Sequence, residues 1–232
     1  MVSTVISQKV RSYKNGSILE FRDYMRSVYS YLFLGLLCMS LSIYVFTTNL
    51  MQSYSFFFHY RLFFYLAPIV MIAFAGKVIN DFSVLWATIY YFSLCFIIGF
   101  GFAPFAIYYG DVMLPALLIS SGMFLGMSIY GYFTNRDLTS IGSYIIFGSI
   151  GLFISLIAEW FLPWLNLVNN IIGIVLFLAF TAYDTHNIKR FYYYGGRDIE
   201  KCAIFGALML FLDFYNLLVF LLRFLGGGKR RD

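Results

Sequence analysis

Long apolar stretches separated by short polar ones make up most of the chain after residue 27. Each stretch is close to the roughly 20 residues that an α-helix needs to cross a bilayer core about 30 Å thick. Seven such stretches are present, at residues 28–48, 60–79, 83–105, 112–133, 140–161, 167–187 and 203–225. The pattern therefore predicts an all-α membrane protein, built as a seven-transmembrane-helix bundle.

The connections between these stretches are too short to hold a separate soluble domain. We expect one transmembrane domain over residues 28–226, preceded by a cytosolic segment, 1–27, and followed by a basic tail, 227–232. The first segment is polar and mixed in charge, unlike a cleavable signal peptide. Within it, Ser17–Glu20 matches a capping box, and the apolar residues that follow repeat at helical spacing. The segment fits a short interfacial helix or a frayed tail.

Composition agrees with a membrane location and narrows the chemistry. Hydrophobic residues make up 61% of the 232 positions and charged residues 12%, whereas a soluble domain is about 25% charged. The three cysteines are widely spaced and there are only two histidines. These counts predict reduced, packed thiols and neither a disulfide framework nor a histidine-rich metal site.

Basic residues are distributed unevenly between the two sides of the predicted bundle. Eleven of the 16 Lys and Arg residues lie in the N-terminal segment and in alternate connections, against Arg61 alone in the opposite connections. The positive-inside rule therefore places the N-terminus in the cytosol. The other four, Arg223, Lys229, Arg230 and Arg231, lie at or after the end of the last apolar stretch, which either crosses despite them or re-enters. The net charge of +5 is thus a topology signal, and no nucleic-acid partner is expected.

Two local patterns bear on packing. Gly122 and Gly126 form a GxxxG pattern, which lets helices approach closely. The aromatic residues of "FYYYGG", 191–196, resemble an aromatic belt at the cytosolic face. Both features concern packing rather than chemistry.

Two aspartates, Asp184 and Asp213, are the residues most in need of a functional explanation. The other nine acidic residues lie in tails, connections or span ends. An ionised carboxylate at the bilayer centre costs roughly 2.5–3.5 kcal/mol, and such residues usually face the bundle interior. The two aspartates lie in consecutive, antiparallel spans, where a tilt or a break in a helix could bring them together.

If the carboxyls meet, repulsion and desolvation raise their affinity for a first shared proton, and the pair titrates in two macroscopic steps. A singly protonated pair could tie the helices together, and full deprotonation could separate them or recruit a cation. Calcium suits such a site because it takes carboxylate and carbonyl oxygens. Thr181 and Asn216, each about one turn from an aspartate, could supply further oxygens. The alternative is two unrelated, protonated aspartates that only stabilise packing.

Three segments carry a resemblance to a known family. "AYDTHNIK" (Ala182–Lys189) is similar to the motif that closes the sixth helix of the transmembrane Bax inhibitor motif family. "ALMLFLDFYNLLVFLLRFLG" (Ala207–Gly226) resembles its seventh helix, and "YGYFTNRDLTSIGSYIIFGSIGL" (Tyr130–Leu152) resembles its fourth loop and fifth helix. The resemblance extends from about residue 20 onward and is most specific in the last third.

The resemblance implies a bundle with the last helix central and a pH-sensitive calcium leak in which Asp184 and Asp213 form the sensor. In bacterial members a basic residue at the end of the second helix latches onto the first aspartate. The aligned residue here is Lys77, where an arginine is expected, and lysine cannot make the bidentate fork of arginine. Lys77 is therefore either the latch or an ordinary cytosolic charge. The expected partners are the lipid bilayer, calcium and protons, with no cofactor.

Other functions agree less well with these residues. An intramembrane aspartyl protease would need glycines around its second aspartate, but Phe211 and Leu212 precede Asp213. A retinal protein would need a Schiff-base lysine in the last helix, and none lies between Lys201 and Lys229. A proton-coupled transporter and a non-conducting modulator of stress or cell-death signalling stay open. We expect no enzymatic activity and a location in a bacterial plasma membrane, or an intracellular membrane for a eukaryotic or viral protein.

Overall fold

The fold is helical throughout the residues that the structure describes. A computed structural model gives the backbone of residues 2–134, 136–194 and 198–227, and the side chains of residues 20–134, 136–192 and 198–227. Within these ranges the chain forms eight helices: α1 Val2–Thr48, α2 Leu50–His59, α3 Arg61–Asp81, α4 Val84–Tyr108, α5 Gly110–Phe133, α6 Thr139–Ala158, α7 Leu165–Tyr194 and α8 Ile199–Gly226.

Seven of the described helices are long and apolar enough to cross a membrane. They are α1 from Glu20 onward and the six helices from α3 to α8. The predicted seven-helix architecture is therefore confirmed. The last apolar stretch forms one continuous helix of 28 residues, which is long enough to span a bilayer at 1.5 Å per residue.

The N-terminal half departs from the prediction in two places. The backbone of α1 is helical from Val2 to Thr48 without a break, so the predicted interfacial helix is not a separate element and no helix begins at Ser17. The side chain of Ser17 lies outside the described residues, as does the basic tail from residue 228 onward. Between the first two spans, the short helix α2 packs against α1 and α3, and its Phe57 is buried in an aromatic cluster with Phe46 and Phe64.

Helix α8 is the centre of the bundle, as predicted. In its most apolar window 67% of the residues are buried, against 17–39% in the other six spans. It packs against α1, α3, α4, α5 and α7, whereas α6 packs mainly against α7 at the periphery. A displacement of α8 would therefore change its packing against five of the other helices.

Close helix crossings occur at glycines other than the predicted pair. A Cβ at Gly99 would lie 2.6 Å from the carbonyl oxygen of Met39, so a larger residue would force α4 away from α1. A Cβ at Gly131 would collide with the carbonyl oxygen of Ala182, where α5 crosses α7. Gly122 and Gly126 have no atom within 4 Å of their Cβ positions. That face of α5 therefore points away from the bundle, and no described helix crosses α5 at the GxxxG pair.

Candidate functional site

The side chains of Asp184 and Asp213 meet inside the bundle. Asp184 is 7% and Asp213 3% exposed, and the two carboxyls lie close enough to interact with each other. An ionised carboxylate only accepts hydrogen bonds, so a bond between two carboxyls requires a proton on one of them. Asp213 Oδ2 is buried and accepts no hydrogen bond from any N–H or hydroxyl of the described residues. The structure therefore brings the two predicted residues together, and a proton shared between them stays a prediction.

No break in either helix is needed to bring the aspartates together. Asp184 lies ten residues before α7 ends at Tyr194, and Asp213 lies fourteen residues after α8 begins at Ile199. At 1.5 Å per residue these positions are about 15 Å and about 21 Å from the adjoining helix ends. Helix α7 continues seven residues past the predicted end of its span at residue 187, and this extension brings the two aspartates nearly level.

A chain of hydroxyl groups runs beside Asp184 and links three helices. Thr185 Oγ1 donates to the carbonyl oxygen of Thr181 at 2.7 Å and lies 3.2 Å from Ser128 Oγ on α5. Ser128 Oγ is in turn 2.7 Å from the hydroxyl of Tyr29 on α1. Thr185 and Ser128 are almost fully buried. These residues carry no recognisable signal in the sequence, because lone hydroxyls are common in apolar stretches.

Thr181 and Asn216 lie near the aspartates in sequence but donate elsewhere. Thr181 Oγ1 donates to the carbonyl oxygen of Phe177 at 2.8 Å, and Asn216 Nδ2 donates to that of Leu212 at 2.8 Å. Each bond is made to the preceding turn of the residue's own helix. Each side chain keeps an oxygen that can accept or coordinate, so their supporting role stays a prediction.

Lys77 is not engaged with the aspartates in this structure. Its side chain is exposed near the end of α3, and it makes no ion pair or hydrogen bond with any described residue. Other lysines occupy the helix ends nearby. Lys201 Nζ donates to the carbonyl oxygen of Asn80 at 3.2 Å, and Lys189 Nζ donates to that of Tyr132 at 2.6 Å. Both accepting carbonyl groups lie near the C-terminal ends of helices, α3 and α5, where cations are favoured. The two lysines thus bind at the end of the bundle where Lys77 lies. The latch is not formed here, and its role stays a prediction.

Two carboxyls alone make a sparse site for a metal ion. No group of three or more His, Cys, Asp or Glu side chains with metal-binding spacing occurs among the described residues. Calcium takes six to eight oxygen ligands. An ion at Asp184 and Asp213 would therefore depend on backbone, hydroxyl or water oxygens and would be bound in passage rather than retained.

A second polar cluster, which the sequence analysis did not predict, lies at the opposite end of the bundle. Glu159 Oε1 accepts from Arg223 Nη2 at 2.6 Å and from Asn166 Nδ2 at 2.7 Å, and Glu159 Oε2 accepts from Asn169 Nδ2 at 2.9 Å. Burial tends to raise the pKa of Glu159, but the bonds from the asparagines and the arginine outweigh it and hold that pKa below its ordinary value of 4.5. The cluster ties α6, α7 and α8 together. The asparagines of "NLVNN", 166–170, in an apolar stretch were the sequence signal for it.

Comparison with known proteins places the chain in a family. The family model described as "Inhibitor of apoptosis-promoting Bax1" matches residues 21–231. The chain belongs to this Bax inhibitor-like family. The match begins where the sequence resemblance was expected to begin, and it includes both aspartates.

Bacterial relatives agree with this assignment. The chain is 45% identical over 130 residues to an uncharacterised protein of Rickettsia prowazekii, covering 54% of each chain. It is 34% identical over 169 residues to an uncharacterised protein of Caulobacter vibrioides, covering 70% of this chain and 68% of that one. It is also 33% identical over 135 residues to the inner membrane protein YbhL of Escherichia coli, covering 54% and 56%. The matched part spans about half the length of the Rickettsia and Escherichia relatives. Together with the seven spans, the family membership establishes a multi-pass membrane protein of the Bax inhibitor-like family.

Proposed function

We propose that this Bax inhibitor-like protein is a pH-sensitive calcium leak channel, with Asp184 and Asp213 as its coupled gate. The observation that carries the proposal is the contact between the two buried carboxyls on neighbouring helices. Calcium and protons are then the ions that act at the site, and no cofactor or catalytic step is required.

The charge of the pair supplies the mechanism. With one shared proton, the hydrogen bond between the carboxyls holds α7 against α8. Loss of that proton leaves two negative charges in contact at a buried site, where repulsion is much stronger than in water. The helices must then separate, or a cation must enter between them. Because α8 packs against most of the bundle, either response shifts the balance between closed and open conformations.

Calcium is the preferred cation because its ligands are the groups present. Hard cations bind carboxylate, hydroxyl and amide oxygens, and Thr181 and Asn216, each about one helical turn from an aspartate in sequence, carry oxygens of these kinds. Lys77, at the same end of the bundle, could compete for Asp184 as a point charge if α3 moved. That movement would convert the exposed lysine into the latch expected from the family resemblance.

The orientation and location follow from the distribution of charge. The excess of Lys and Arg in the N-terminal segment and alternate connections favours a cytosolic N-terminus. The inner-membrane name of the Escherichia coli relative supports a bacterial plasma membrane. Two other functions predict different behaviour at the same site: a proton-coupled transporter would move solute with protons, and a non-conducting modulator would pass no ion.

An enzymatic role is not part of the proposal. Asp213 lies within the continuous helix α8, flanked by Leu212 and Phe214, and is 3% exposed. An intramembrane protease must bring its substrate backbone against both aspartates, and neither a helix break nor a glycine beside Asp213 provides that access.

The test is calcium flux into proteoliposomes at several pH values, for the parent and for Asp213→Asn. The expected result is a parental flux that depends on pH and a variant whose flux does not. A matched control is Asp81→Asn, which removes an exposed carboxylate at the end of α3 and should leave the pH dependence unchanged. Flux no greater than in empty vesicles at every pH would refute the channel and favour the modulator.

A further inference from the structure

An open groove lies on the side of the bundle, between α1 and α5. Its volume is about 640 Å³, and its charged lining residues are Arg22, Arg26 and Asp23, beside aromatic, aliphatic and hydroxyl side chains. Helices α1 and α5 make few direct contacts, because each packs instead on α7 or α8. The gap between them is therefore open toward the surrounding membrane.

The mouth of the groove carries two arginines at the level where the spans end. Arg22 and Arg26 lie one helical turn apart on α1, close to the start of the first span at Glu20. Arg22 makes no hydrogen bond or ion pair within the described part of the chain. Arg26 makes only a 3.9 Å contact with Asp23, in which both side chains are more than 70% exposed. An ion pair this exposed and this long contributes little to stability. Both guanidinium groups are therefore available to an anion.

The wall of the groove opposite the arginines is apolar and faces outward. Three exposed apolar residues lie along α5. From the helix end inward they are Phe133, Ile129 and Leu125, which are 72%, 57% and 56% exposed. At the floor, the hydroxyls of Tyr29 and Ser128 are bonded to each other at 2.7 Å. The groove thus combines cations at the interface, hydroxyls below them and a hydrocarbon surface along one side.

We propose that this groove binds one anionic glycerophospholipid. The phosphate lies between Arg22 and Arg26, whose guanidinium forks match its oxygens, and an acyl chain lies along Leu125, Ile129 and Phe133. Charge complementarity selects the occupant: a zwitterionic lipid offers the same chains but carries a cation that Arg22 and Arg26 repel. Anionic lipids are also attracted to basic segments beside a span. The inference does not depend on the calcium-leak proposal.

The floor of the groove connects this site to the aspartates through protein atoms. Ser128 lies 3.2 Å from Thr185 Oγ1, and Thr185 follows Asp184 in α7. A lipid seated against Ser128 and Tyr29 therefore contacts the helices that hold the pair in place.

The experiment is native mass spectrometry of the full chain in detergent, with an equimolar mixture of phosphatidylglycerol and phosphatidylcholine. We expect the first bound lipid to favour phosphatidylglycerol at least about fivefold, and the ratio to approach one in Arg22→Gln/Arg26→Gln. The control Arg136→Gln/Lys201→Gln removes the same charge from the same end of the bundle and should keep the preference. Both arginines are exposed, and unchanged thermal unfolding confirms that the variants are folded.

Three results would overturn the inference. The parent could show no preference, or both double variants could lose it equally, which would indicate attraction by overall charge. Millimolar inorganic phosphate could displace phosphatidylglycerol completely, which would show that the acyl chain contributes nothing and that the site binds free phosphate.

Discussion

The ion pair between Glu159 and Arg223 provides the sharpest stability prediction. Its side chains are only 15% and 21% exposed, and Glu159 accepts two further bonds from Asn166 and Asn169. We consider the variants Glu159→Gln, which keeps side-chain volume, and Arg223→Gln, which shortens the side chain; each removes one charge. Either change removes a partner from a largely buried charge and weakens the contact of α8 with α6 and α7.

The magnitude follows from the exposure of the pair. A net contribution of about 1.5–3 kcal/mol is usual for a hydrogen bond to a charged group. Exposed pairs contribute about 0–1 kcal/mol, whereas breaking a fully buried pair costs about 3–5 kcal/mol. The partial burial of Glu159 and Arg223 places their coupling between these limits, at about 2 kcal/mol.

The assay is a double-mutant cycle on the free energy of unfolding in mixed detergent micelles. Since hydrogen bonds lower the pKa of Glu159 in the folded state, its stabilising effect is present above the unfolded value of about 4.3. That effect is lost as the pH falls through the lower folded value. The gap between the parent and Glu159→Gln should therefore be constant at neutral pH and close below about pH 4. A coupling energy under about 0.5 kcal/mol, or a gap that persists in acid, would refute the reasoning.

Further predictions concern the packing of α4. Gly99→Ala should lower the free energy of unfolding by about 1–3 kcal/mol, because the new methyl group meets the backbone of Met39. The control Gly122→Ala adds a methyl group with no neighbour within 4 Å. It should be neutral or slightly stabilising. Tyr91→Phe should cost about 1 kcal/mol, since its fully buried hydroxyl donates to the carbonyl oxygen of Tyr31 at 2.9 Å. Thermal unfolding checks both, and equal stabilities of the two glycine variants would contradict the crossing at Gly99.

The architecture was predictable from sequence because the membrane imposes one length on every span. Apolar runs of about 20 residues were sufficient to predict all seven spans. Helix α2 was not predicted, because it is too short for a span and is interrupted by the polar residues Gln52 and Ser53. The continuity of α1 was missed because a capping box at Ser17–Glu20 signals a helix start only when the preceding backbone is not already helical.

The candidate site was predictable in identity but not in geometry. Buried charge is costly in a bilayer, so Asp184 and Asp213 were conspicuous, but their contact depends on helix rotation and on the extension of α7. Rotation also decided which glycines lie at crossings, and a GxxxG pattern at Gly122 carries no information about which way it faces. The partners of Glu159 come from α7 and α8, so the asparagines of 166–170 signal a polar site but not which residues complete it.

The most direct test of the gate compares the pH dependence of calcium flux in Asp184→Asn, Asp213→Asn and the variant with both changes. In the same proteoliposomes, the infrared band of the protonated carboxyl is followed as the pH is raised. If the aspartates act as one unit, the parental flux and the carboxyl band change over the same pH range. All three variants then lose the pH response to the same extent, since residues that act together are not additive. A pH-dependent flux that survives in the double variant would show that the gate lies elsewhere.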